Sequence, residues 1–417
     1  MKISLTWMDL LMLSLMILSL PSVEGPKNIF LVGYLVTRII SEIQQFKRGH
    51  LHWGQWDSLF FAIVFTAFLS TLFAGFSGLE EWKGYKVFLA AILTGWLLSR
   101  AHYTKNQYHN LFKLIVLSTI PPLAWGLYEN LVNHSRETLE IHSVGHVNHS
   151  AIYLVMIFGA SLGWFISQFN SIKNEVSLRW KTMLLFILSL LFFISLIIMQ
   201  SRGAFGVAVL LGLSLLFLLD TNKVIKIAGV GVIIVTLLLT VTLKTNIIQK
   251  QITNSKNNNI LAFRDRVWSV SLEASRFYPA FGIGLGNWHF INLDHLKKSV
   301  EARGDLFNPE NYAFPGHSHN LYLSALVERG VVGLIVTFFF MGAWIRNLIK
   351  TFDWAKKSSE ASYLWAGSLS AWFATFGVGL VNSTFHHEHG ILACLFLGIY
   401  LSYTRHYQEK NKKYLSL

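Results

Sequence analysis

Four groups of residues in this chain carry side chains able to do chemistry at neutral pH. His317, His319 and Asn320 fall within four positions, directly ahead of an apolar run that carries Glu328, Arg329, Gly330 and Gly333. Arg202 lies in a few polar residues between two apolar runs, and Arg264 and Arg266 lie in a long polar connection. His386, His387, Glu388 and His389 precede the last apolar run. An imidazole of ordinary pKa about 6.5 is a suitable general base for a hydroxyl nucleophile. A guanidinium is a permanently charged fork of donors suited to bidentate contact with phosphate oxygens. What decides their use is where the chain places them.

The elements that must do the placing are membrane helices. The chain has 417 residues, of which 53% are hydrophobic and only 14% charged, against about 25% charged in a soluble domain. Twelve apolar segments stand out, centred in 5–21, 28–46, 57–76, 86–100, 111–128, 151–169, 182–199, 203–219, 224–243, 331–348, 362–382 and 389–403. Each reads as a helix, because about 20 residues cross a bilayer and an isolated strand would leave backbone groups unsatisfied in lipid. The N-terminal stretch lacks a small-residue cleavage pattern and is followed at once by another apolar run, so it reads as the first span rather than a signal peptide. Trp53, Trp56, Trp82 and Tyr85 lie near segment ends, where interfacial anchors belong. The fold class expected is an all-α polytopic membrane protein. Cys394 is the single cysteine, so no intramolecular disulfide is possible.

The net charge of +13 is distributed as topology signals in short loops and not as a face for nucleic acid, which is set aside as a partner. With the N-terminus in the cytoplasm, the short cytoplasmic loops and tails hold eighteen Lys and Arg, Lys2 and Lys173 among them, and the short loops opposite hold five. Both termini are therefore expected inside, and the connection 244–319 outside. Val267, Trp268, Val270, Leu272 and Phe277 recur at helical spacing within it, which predicts an amphipathic helix lying on the bundle or the membrane surface. The domain expectation is one membrane domain over 1–417, with 244–319 as an external cap. All four chemical groups then fall on the outer face, around a water-filled cationic cavity. Arg202 stands out because an external arginine in a minimal hairpin opposes the positive-inside bias.

Other uses of these residues are weighed against this one. Two histidines at i, i+2 could begin a zinc site, with 386–389 as the only supplement, but no Cys-rich partner or HExxH accompanies them, and no metal is expected. Gly282, Gly284 and Gly286 lack the spacing and the strand–helix context of a dinucleotide loop and read as a tight turn after Pro279. Glu328 and Arg329 read equally as an ordinary ion pair at a helix end.

His319-Asn320, nine residues, then Gly330-Val331-Val332-Gly333 resembles the signature of the O-antigen ligase family, within the larger group of O-antigen ligases and polymerases. Gln200-Ser201-Arg202-Gly203-Ala204 resembles the external arginine hairpin of that family. Arg264, Trp268 and the stretch from Tyr278 to Trp288 resemble its external loop, and the stretch before the sixth span from Ser143 to Leu154 is similar as well.

The resemblance implies a GT-C-like membrane glycosyltransferase with a large periplasmic loop between the ninth and tenth spans. It implies transfer of a preassembled glycan from undecaprenyl diphosphate to a sugar of the lipid A-core at the outer face of the bacterial inner membrane. His319 is implied as base and Arg202 and Arg264 as diphosphate ligands. His317, Asn320, Glu328, Gly330 and Gly333 are implied as support or acceptor contacts. In-line attack would invert the anomeric carbon, with no nucleotide sugar, metal or other cofactor. Gly330 and Gly333 are expected on one helix face, letting a neighbouring helix approach. A polymerase, a protein O-oligosaccharyltransferase and a lipid-linked glycan transporter remain open. A transporter would show intramembrane charges along a path, and only Arg38 and Glu42 qualify by position.

Overall fold

The computed structural model describes residues 5–49, 53–76, 78–171, 176–219, 223–242, 249, 252–255 and 261–415. Lys2 and Lys173 of the charge count, and most of 243–260 at the start of the long connection, lie outside the described residues. The regular elements among the described residues are helices, and the one bridge of β type among them is the isolated pair Ile141–Gly145.

The first half of the bundle comprises α1 (Leu5–Ser19), α2 (Glu24–Lys47), α3 (Gln55–Leu72), α4 (Glu80–Ser99), α5 (Lys105–Ser118) and α6 (Ile120–Leu131). The second comprises α7 (Val147–Ser171), α8 (Val176–Ile198), α9 (Arg202–Leu218), α10 (Lys223–Thr242), α13 (Leu321–Ala355), α14 (Ser359–Trp372) and α15 (His387–Leu415). Between α10 and α13 lie the short helices α11 (Arg264–Ala274) and α12 (Leu293–Glu301). Each of the twelve apolar segments falls on helix, the eleventh unwinding toward its end. Five stretches are long and apolar enough to cross a membrane: Gln55–Leu72, Lys105–Leu131, Val147–Ser171, Trp180–Ile198 and Leu321–Ala355. The second of these is α5 running into α6 across Pro121 and Pro122 in the first turn of α6, where missing N–H groups cost a helix nothing.

α7 is the axis of the bundle. Its residues from Ala151 to Ile157 are all buried, against α8, α9 and α14 around it. A helix apolar all round is what such a position requires.

At the end of the bundle where α1 and α3 begin and α2 and α4 finish, buried charged side chains interlock. Arg38 donates to Asp9 at 3.1 Å and Glu42 at 2.6 Å, and Arg100 to Glu42 at 2.7 Å and Asp57 at 2.6 Å. Arg38 and Glu42 are thus spent on joining α1, α2, α3 and α4 at one level. They do not mark a path through the bundle. Burying such charges is tolerable because each is paired and hydrogen-bonded.

The opposite end carries a cap with its own small core of Val267, Val270, Ala274, Ile283, Trp288, Ile291 and Leu296. α11 forms where helical spacing predicts it. Its Val267 and Val270 face that core, and Val327 of α13 joins them, while Leu272 is exposed. The cap is pinned by a bidentate pair, Arg303 to Glu273 at 2.6 and 2.9 Å.

One expectation is corrected. α13 is two helices, broken at Gly330 with φ +66° and ψ −171°. What approaches Gly330 is not a neighbouring helix but the cap backbone, since a Cβ there would lie 2.2 Å from the carbonyl oxygen of Ala280. Across the break the cap segment 279–284 takes up the freed backbone groups. Ile283 donates to the Val327 carbonyl, Gly284 to that of Glu328, and Val331 to that of Pro279, at 2.8–3.1 Å. Gly333 makes room for the side chain of Arg329, whose Cβ would meet an added Cβ at 2.2 Å. The two glycines therefore hold a loop in a broken helix, a use that spacing alone does not distinguish from helix packing.

Candidate functional site

His319 immediately precedes the first turn of α13. It has a left-handed backbone, φ +50°, unusual for a residue with a Cβ and held only where the surroundings impose it. Those surroundings are visible. Asn320 caps α13 by accepting from the Tyr322 and Leu323 N–H groups at 2.9 and 3.0 Å. Its amide nitrogen donates to the carbonyl of Leu380 at 2.9 Å. That carbonyl is available because α14 gives way after Trp372 to a π turn and a 3₁₀ turn, leaving backbone oxygens without helical partners. Tyr322 and Thr384 use two more of them, at Phe376 and Thr375.

The same unwound segment supplies a residue that the motif does not contain. Nδ1 of His319 lies 3.4 Å from Oδ1 of Asn382, a buried side chain. This oxygen also accepts the N–H of Ser383 at 3.1 Å, which identifies it as the acceptor end of the amide. The His319 proton therefore belongs on Nδ1, and Nε2 presents a lone pair.

His317 sits beside His319, ring centroids 4.2 Å apart. Behind it a group of imidazoles converges from three segments. His149 of α7 has ring centroids 5.0, 5.4 and 5.2 Å from His386, His387 and His389, and 6.4 Å from His317. Among the described residues, no three His, Cys, Asp or Glu side chains are grouped to hold a metal ion. Glu388 is engaged elsewhere, in a buried ion pair with Lys27 of α2. His389 is fully buried, and among the described residues neither of its ring nitrogens has a hydrogen-bond partner.

These rings open on a cavity of about 420 Å³ whose lining includes His149, His317, His386, His387, Glu328 and Arg329. Burial pushes His317 down to about 4, with the neighbouring His319 adding to the effect. Burial also lowers His319; its bond to Asn382 opposes the shift and Arg264 reinforces it. His386 is held well below the ordinary value by burial and then by His387 and His149. All three are neutral at pH 7, the form that accepts a proton.

Arg264 is the first residue of α11 and Arg202 the first of α9. Burial and then the charge of Arg202 both lower the Arg264 pKa, and Arg264 in turn acts on His319. The two arginines are thus electrostatic neighbours, and Arg264 is near enough to His319 to act on it. Ser201 ties the α9 hairpin to Asn148 at 3.2 Å, one residue from His149. Two like charges brought together beside a helix N-terminus favour a bound anion. Arg266, by contrast, lies over the Phe263 ring at 5.1 Å.

Glu328 and Arg329 do not form an ion pair with each other. Glu328 accepts the N–H of Gly286 at 3.3 Å. Arg329 donates to Thr337 at 2.9 Å and covers the face of Phe88 at 4.9 Å. They brace the broken helix on either side of the cavity.

The structure therefore gathers His317, His319 and Asn320, with Arg264 acting on His319 and Arg202 on Arg264, and places Glu328, Gly330 and Gly333 in the support beneath. Sequence reasoning missed Asn382 and His149. The stretch around His149 was visible as similar to the family, but no role attached to any residue in it. Asn382 had no signal beyond lying just ahead of the His386 group.

No curated protein matches the chain. A family model described as O-antigen ligase matches residues 186–338, a span that runs from α8 to α13 and includes Arg202, Arg264, His317, His319, Asn320 and both glycines. The match supports membrane glycosyltransferase activity of the ligase and polymerase type in a multi-pass membrane protein. The likeness of this chain to the O-antigen ligase family, suggested by its motifs, is thereby shown.

Proposed function

We propose that the protein is an O-antigen ligase that moves a preassembled glycan from undecaprenyl diphosphate to a sugar hydroxyl of the lipid A-core, completing lipopolysaccharide. The observation that carries this reading is His319, oriented by Asn382 and under the charge of Arg264, which in turn has Arg202 as its electrostatic neighbour. Nε2 of His319 takes the proton of the acceptor hydroxyl, and the oxygen attacks the anomeric carbon. The bond from that carbon to the diphosphate oxygen breaks, and undecaprenyl diphosphate leaves. Arg202 and Arg264 meet the charge that develops on the diphosphate, where preorganised donors act most strongly. Attack opposite the leaving group inverts the anomeric configuration. His317 orients His319 or contacts the acceptor. No metal enters any step.

The reading places the site at the periplasmic face of the inner membrane, with twelve spans and both termini in the cytoplasm. The Lys and Arg asymmetry supports this orientation. So does the geometry, because the cap and the imidazoles share one end of the bundle while the Arg38 network occupies the other.

The test is transfer in vitro by the purified protein, with lipid-diphosphate glycan as donor and lipid A-core as the only acceptor. Glycosylated lipid A-core is the expected product. Longer lipid-linked glycan with the core untouched would identify a polymerase instead.

A further inference from the structure

A second cavity, of about 1000 Å³, opens between α5, α7, α8 and α14. It lies far from His319. α7 passes from His149 at the first site to Gln168 at this one, 19 residues or about 28 Å of helix.

The lining is graded. One end is polar, with Asn106, Asn110 and Lys113 of α5, Gln168 of α7 and Lys181 of α8. The other is apolar, with Leu117, Ile120, Leu184, Leu188 and Leu191. The gradient runs the same way along both walls, from residue 106 to 120 on one and from 181 to 191 on the other. Trp164 and Trp180 flank the polar end, and Lys113 and Lys181 approach their rings to 6.0 and 5.9 Å. Tryptophans and lysines at this level are what a headgroup region selects.

Lys113 is the telling residue. It lies inside the candidate span Lys105–Leu131, about 12 Å along the helix from its start. An amine at that depth needs an anion or a path to water. Among the described residues, neither Lys113 nor Lys181 forms an ion pair, and Glu360, the carboxylate lining the cavity, is paired with Lys105 at 3.0 Å. Two cations at the mouth of an apolar trough call for a ligand with a negative head and a hydrocarbon tail.

We propose that this cavity is a binding site for an anionic phospholipid of the leaflet facing away from His319. The phosphodiester sits between Lys113 and Lys181, the amides of Asn106, Asn110 and Gln168 meet the glycerol and head oxygens, and one acyl chain lies along Leu184–Leu191 of α8. The site does not depend on the reaction assigned to the first cavity.

The test uses the full-length protein in nanodiscs doped with phosphatidylglycerol or phosphatidylcholine bearing the same photoactivatable acyl chain, with adducts mapped by mass spectrometry. Phosphatidylglycerol should label Leu184–Leu191 about tenfold more than phosphatidylcholine does, given the attraction of two lysines near a headgroup. The double substitution Lys113→Gln, Lys181→Gln should remove that preference. Labelling at Phe61 and Phe65, exposed on α3, should not change, which shows that the variant is folded. Equal labelling of the groove by both lipids in the unsubstituted protein would overturn the proposal. So would a preference that survives the double substitution at an unchanged α3 signal. If the double variant does not fold, Lys113→Gln and Lys181→Gln taken singly decide the question by the same comparison.

Discussion

Asn382 holds the ring of His319 by its Nδ1, at 3.4 Å, from a segment 63 positions further along the chain. The contact orients the ring, so a charge placed at position 382 would be felt by it. Replacing Asn382 with Asp keeps the shape and adds a carboxylate, which stabilises imidazolium and raises the His319 pKa. The base works only when neutral, so activity is present above its pKa and lost as pH falls through it. Asn382→Asp should therefore move the acid limb of the pH–rate profile to higher pH, while Asn382→Ala should lower the rate at every pH. An unshifted acid limb in Asn382→Asp would remove the residue from the site.

His319→Ala should reduce transfer by roughly 10²–10⁴-fold with donor binding largely intact, the usual consequence of losing a general base. His317→Ala should cost less. Chelation by EDTA should change neither the native rate nor that of His317→Ala, since the imidazoles are assigned to proton transfer. Transfer to lipid A-core, measured with and without chelator, checks all three; chelator sensitivity would return the histidines to a metal.

Arg202→Ala and Arg264→Ala should each lower the rate by about 10²–10³-fold, as when one donor to a developing anion is removed. Insertion and thermal stability should hold. Arg202→Lys should recover only part of the loss, because a point charge lacks the guanidinium fork. Normal turnover in both alanine variants at normal expression would show that the diphosphate lies elsewhere.

Gly330→Ala should destabilise the protein by about 2–3 kcal/mol, because φ +66° with ψ −171° is open to glycine alone. Gly330→Asn should fare no better, since asparagine tolerates the left-handed helical region and not this one. Both variants should melt lower and expose the cap around α12 to protease before the bundle unfolds. A Gly330→Ala variant with native melting and a protected cap would mean that the break is not imposed by the 279–284 segment.

The helices were legible because lipid leaves the chain few options. The twelve apolar stretches fall on helix, and Val267 and Val270 face inward on α11 as their spacing requires. What spacing could not reveal was backbone conformation. Gly330 and Gly333 fit helix packing and helix breaking equally well in one dimension, and only the cap segment 279–284 lying across the break decides between them. The pairing of Glu328 with Arg329 failed for a related reason. Adjacent residues on a helix point apart, and each found a partner elsewhere. Asn382 and His149 were hidden because their roles arise from where α14 unwinds and where α7 starts, and neither depends on a pattern near the residue itself.

The buried pair of Lys27 and Glu388 joins α2 to the last helix across 361 positions of chain. It stands next to the imidazoles of α15, beside the loop that carries Asn382. Helices far apart in the chain must therefore meet before the imidazole cluster is complete. Until α15 packs against α2, Lys27 lacks the carboxylate that compensates its burial. The ion pair thus ties the docking of α15 on α2 to the assembly of the imidazole cluster, because a misplaced α15 would leave that amine uncompensated.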